Sequence, residues 1–143
     1  MRGTFFALIL LIATAASAAL PQIDLTVGQQ TVSVEVAATG DTRATGLMHR
    51  RILPENNGIL FVFPAPGMHA FWMMNTHIPL SIAFIDDEGI IVNIENMQPH
   101  TQNSHPPKRP VRYALEMNQG WFAKHGIRAG ARIKGLDRAP PAR

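Results

Sequence analysis

The chain has 143 residues, no cysteine and a formal net charge of +3. Without cysteine it can form no disulfide, thiol nucleophile or thiolate metal site, so a metal would have to be held by His, Met or carboxylates. The basic excess is too thin for a nucleic-acid-binding charge density.

Residues 1–18 read as a secretory signal peptide. Met1-Arg2 give a positive start, Phe5–Ala13 an apolar run too short to span a bilayer, and Ala16-Ser17-Ala18 a small-residue cleavage site. Cleavage after Ala18 is expected to leave a periplasmic or secreted chain with no stable membrane insertion. Loss of Arg2 leaves 12 basic against 10 acidic residues. The basic residues concentrate between Lys108 and Arg138, where they form a solvated face or meet an anionic envelope polymer.

Residues 19–137 are expected to form a single β-rich domain, followed by a Pro-rich tail, 138–143. Residues 23–27 and 31–37 alternate apolar and polar side chains, which predicts half-buried strands joined near Gly28. Asp41 is expected to cap a short helix through Met48. The apolar run GILFVF, Gly58–Phe63, predicts a fully buried strand. Further strands are expected over 69–74, 80–85, 90–95, 111–117 and 131–136, with a helical turn or two over 120–125. The long Pro- and His-containing stretch 97–110 is expected to be a loop. With no long helix to cross between parallel strands, the expected fold is mainly β, an antiparallel β-sandwich or partly closed barrel with two short helices.

The segments GLMHR, GILFVF, FWMMNTHIPLSIAF, YALEM and GIRAGARI occur in that order between Gly46 and Ile133. In order and spacing they resemble the domain of unknown function 192 family, small bacterial and archaeal proteins, many of them exported. The resemblance covers about residues 32–136. It implies a compact β-rich domain and no particular reaction. Two positions depart from the family pattern. Met74 stands where a lysine or arginine is usual, and Ser81 where an aspartate is usual. Both flank the 75–79 turn, so a charged pair across a hairpin would be replaced here by a neutral one.

Trp72, Asn75, Arg50 and Glu116 are the candidate ligand-binding residues: an aromatic surface and a few polar groups suit a small molecule or glycan. On a strand, Phe71, Met73 and Asn75 would share an inward face and Trp72 would lie outward, free to stack on a ligand. Arg50 and Glu116 would pair or share Asn75. The alternative is a fixed structural network. Met/His pairs, above all Met73 with His77, raise a copper-handling alternative. A hydrolase using His77 with Glu116 is a second alternative, although no nucleophile elbow, HExxH or paired-carboxylate motif is present. The expectation is non-catalytic binding of a small molecule or envelope polymer, with no cofactor.

Overall fold

The computed structural model describes residues 19–143; the expected leader lies outside the described residues. The alternating segments form β1 (Gln22–Val27) and β2 (Gln30–Ala37), a hairpin with Leu25 opposite Val32 and a two-residue turn whose Gly28 has φ +62°. Helix α1 (Gly40–Thr45) follows. Its cap is Thr39 rather than Asp41: Thr39 and Thr42 exchange side-chain and backbone hydrogen bonds in a capping box. Gly46, at φ +48°, ends it two residues before the expected Met48.

The buried run becomes β3 (Asn57–Gly67), which pairs parallel to β2 and antiparallel to β6 (Val111–Asn118). Strand β4 (Leu80–Ile85) lies between β6 and β5 (Ile91–Met97). After α2 (Trp121–Lys124) comes β7 (Ile133–Lys134), paired with β1. The order across the sheet is β5-β4-β6-β3-β2-β1-β7. The sheet's two ends are stitched together where Ile91 N–H donates to Ala131 O at 2.9 Å and Ile133 N–H to Gly89 O at 2.8 Å. Of the two expected architectures, the partly closed barrel is the one that forms, with its two short helices. The β2–β3 pair is parallel where every pairing was expected to be antiparallel. A crossover needs only enough chain, and the segment between β2 and β3 supplies it with a six-residue helix.

Both faces of the central strands are covered. One cluster includes Val32, Val34, Leu60, Leu115, Trp121 and Phe122; the other includes Ile59, Phe61, Met73, Ile82, Phe84 and Ala114. That double burial is why GILFVF is continuously apolar rather than alternating. Gly58 opens the run because a Cβ there would stand 2.4 Å from both the Glu116 carbonyl oxygen and the Met117 sulfur. The expected tail folds back, with Ala139 and Ala142 on the first cluster and Arg143 N–H donating to Ala38 O at 2.9 Å.

The segment 69–74 is not a strand. It makes one antiparallel bridge, Phe71 with His105, and then turns at Met74-Asn75. Strand β4 spends its two edges on β5 and β6, so no hairpin joins it to 71–74. Met74 and Ser81 therefore do not face each other across one. Ser81 is buried, donates to Asn96 Oδ1 at 2.6 Å and accepts from Gly120 N–H at 2.9 Å. The two bonds of this hydroxyl tie β4 to β5 and to the start of α2.

Candidate functional site

The strand registers place five residues in one cross-strand row. Glu95 on β5 faces Ile82 on β4; Ile82 faces Glu116 on β6; Glu116 faces Ile59 on β3; Ile59 faces Glu35 on β2. Partners directly opposite each other point to the same side of a sheet, so three carboxyl groups share one face. The two outer ones have cationic or cationisable partners. Glu35 accepts two bonds from Arg50, at 2.7 and 2.9 Å, and Glu95 lies 3.0 Å from His105 Nδ1. The central one has none among the described residues. Glu116 is 4% exposed, and burial between apolar neighbours pushes its carboxyl up to about 8.

This arrangement corrects the expectation that Arg50 and Glu116 pair. Arg50 leaves the loop after α1 beside β2, and Glu35 is the acid it reaches. The fork geometry of guanidinium and carboxylate then fixes the pair, and the bond to Glu35 raises the Arg50 pKa.

Glu116 is accessible from one direction. A cavity of about 230 Å³ lies over it, lined by Leu47, Phe61, Phe71, Trp72 and Thr76 among others. Each wall has a local cause. Gly46 ends α1 with its α-carbon against the Phe61 ring, where a Cβ would come within 3.2 Å, and this lays Leu47 over β3. The Phe71–His105 bridge holds the FW pair above the sheet, and Phe71 packs edge-on to Phe61 with ring centroids 4.8 Å apart. Thr76, 5% exposed, donates its hydroxyl to Met74 O at 3.1 Å. Arg43 borders the cavity, but its guanidinium donates to Val62 O at 3.0 Å and sits over the Phe63 ring at 5.3 Å.

Trp72 is 46% exposed at this cavity, the outward position expected of it. Met73 is fully buried. Asn75 is not the inward amide that strand alternation suggested. It is exposed, in the left-handed region at φ +54°, because the segment turns instead of continuing as a strand. Its backbone carbonyl accepts from His49 N–H at 2.9 Å, and the next carbonyl, of Thr76, accepts from His100 N–H at 3.2 Å. His49 and His100 are themselves left-handed, at φ +66° and +59°. Three non-glycine residues in a costly conformation are thus locked together where three loops meet at the edge of the site.

The alternative metal pair does not assemble. Met73 is sealed in core, while His77 Nδ1 lies 2.9 Å from His100 Nε2. Among the described residues no group of three or more His, Cys, Asp or Glu is placed to hold a metal ion. His77 is also absent from the lining of the Glu116 cavity, so the His77–Glu116 pairing of the hydrolase alternative is not formed. Phe61, Phe71 and Thr76 are wall residues that sequence reasoning did not select. The first two read as ordinary core aromatics, and nothing in a strand pattern distinguishes a ring that seals a core from one that borders a cavity.

The family described as Uncharacterized ACR, a domain of unknown function, matches residues 23–135. Two solved structures are similar. One, from Sinorhizobium meliloti 1021 and named as a candidate transcription regulator, has a TM-score of 0.77 and 31% identity, covering 84% of this chain and 98% of that one. The other, a protein of unknown function from Novosphingobium aromaticivorans DSM 12444, has a TM-score of 0.75 and 31% identity, covering 94% of this chain and 100% of that one. No curated protein matches the chain.

Proposed function

The chain belongs to the domain of unknown function 192 family, and within it we propose that this member is an exported cell-envelope protein that binds a small molecule in the cavity over Glu116. One observation carries the reading. A carboxyl group without a partner is expensive to bury. Here it is held at a cavity rimmed by an exposed tryptophan. The cavity is smaller than the ~300–1,000 Å³ of drug-sized sites, so its ligand is small. The reading is of binding rather than turnover, since Glu116 has no second acid–base group hydrogen-bonded to it among the described residues. Export rests on the three-part leader at 1–18.

The transcription-regulator name of one structural neighbour suggests a DNA-binding alternative. A helix-based reader is disfavoured here, because α1 has six residues and α2 four, too few to serve as a recognition helix in a major groove.

The test is an NMR fragment screen on isotope-labelled protein with compounds of up to about a dozen heavy atoms, a size in keeping with so small a cavity. Hits should move the Trp72 indole resonance together with Leu47, Phe61 and Thr76. Hits that cluster instead on the separate groove between β5 and α2, around Ile94 and Ile127, would overturn the reading.

A further inference from the structure

We infer that the ligand of the Glu116 cavity is a small organic ammonium ion, held by the carboxylate below and by aromatic rings at the walls. This rests on the binding reading above. The row Glu95-Ile82-Glu116-Ile59-Glu35 supplies the first argument: each outer acid has a basic side chain, and the central one has a cavity in the equivalent place. The second argument is the wall chemistry. Phe61, Phe71 and Trp72 line the space, and aromatic rings attract a desolvated cation through their negative faces. Phe63 also lines it but is already stacked on His69, with ring centroids 3.7 Å apart, and lies beneath Arg43. The third is the absence of an internal competitor among the described residues. Arg43 is the other charged side chain of the lining, and its guanidinium is taken up by the Val62 carbonyl and the Phe63 ring.

The proton balance is explicit. In the empty site burial holds the Glu116 carboxyl mostly protonated at neutral pH. An ammonium ion binds the ionised form, so Glu116 releases its proton to solvent as the cation enters. Binding is then strongest between pH 8 and the ammonium ion's own pKa, about 9–10 for an alkylammonium, and weakens about tenfold for each pH unit below the carboxyl's pKa. Other titratable or charged groups share this face or its loops: Arg43, Glu35 with Arg50, Glu95 with His105, and His49 and His77 on the loops that carry Leu47 and Thr76.

Three probes of similar size decide the matter: benzylammonium, benzyl alcohol and benzoate. Each is titrated calorimetrically into the whole protein at several pH values, in buffers of differing ionisation enthalpy. Benzylammonium should bind at least ~10-fold more tightly than the other two at pH 8.5, and at pH 7 it should release close to one proton. Glu116→Gln should abolish this preference and the proton release. If benzyl alcohol or benzoate binds best at the Trp72 resonance, or if no proton is released, the ammonium proposal fails while the cavity reading survives. If Glu116→Gln keeps the pH dependence, the histidines account for it and the proposal fails. If none of the probes perturbs Trp72 and the fragment screen also leaves the cavity untouched, both fall together. The wild-type pH series stands even if the variant folds poorly.

Discussion

Glu35 and Glu116 lie in one cross-strand row with Ile59 between them, and among the described residues only Glu35 of the two has a cation, Arg50. The same side chain on the same sheet face is therefore an ordinary ion-paired acid at one position and a neutralised, buried acid two strands away.

Glu116 should make stability fall as pH rises. Its folded pKa of about 8 lies above the usual value for an unfolded chain. The folded state thus holds the proton more tightly, and its advantage is full below about pH 4.5 and is lost progressively up to about pH 8. Denaturant titrations at pH 5 and pH 8 should differ by up to several kcal/mol from this group. Glu116→Gln should remove most of that difference and raise stability at pH 8. A variant no more stable than wild type at pH 8 would contradict the assignment.

Asn75 is held by its backbone rather than by its side chain. At φ +54° an alanine is penalised by about 1 kcal/mol and a glycine is not. Asn75→Ala should lower the melting temperature by a few degrees, and Asn75→Gly should leave it unchanged or higher. Equal losses in both variants would mean that the amide makes the contribution.

Trp72→Ala should cost little stability, since nearly half of the ring is exposed, and should weaken ligand binding at least several-fold. Thermal melts and probe titrations on one sample separate the two effects. Unfolding of the variant would place the indole in the core instead.

The Arg50–Glu35 bridge is two-pronged but partly solvated, with side-chain exposures of 40% and 19%. Arg50→Ala should cost about 1 kcal/mol, and Arg50→Lys should recover only part of it, because an ammonium cannot match both oxygens. A double-mutant cycle with Glu35→Gln measures the coupling; a value near zero would reduce the bridge to a surface contact.

His77 should titrate below the ordinary histidine range. Desolvation lowers its pKa first, followed by the positive charges of His100, Arg51 and His49. NMR titration of the ring should show the pKa rise in His100→Ala. No change there would mean that His100 contributes nothing and that desolvation, Arg51 and His49 set it.

N-terminal sequencing of the protein isolated from the cell envelope should begin at Ala19-Leu20-Pro21. A chain recovered there still beginning at Met1 would count against cleavage after Ala18.

Local pattern determined much of the fold. Alternation at Val32, Val34 and Val36 specified a half-buried strand, and the unbroken GILFVF run specified one buried on both faces, because each depends only on where successive side chains point. The order of motifs identified the family. Tertiary structure alone decided the rest. Residues 71–74 have a strand-like composition but turn, because β4 has both edges filled by β5 and β6 and only His105 is left to pair with Phe71. Arg50 and Glu116 looked like natural partners in the sequence, yet the parallel β2–β3 pairing brings Glu35 into the row and within reach of Arg50. That register, set between strands far apart in sequence, leaves Glu116 as the carboxyl of the row without a partner among the described residues. Charge pairing depends on three-dimensional distance, and a local pattern does not encode it.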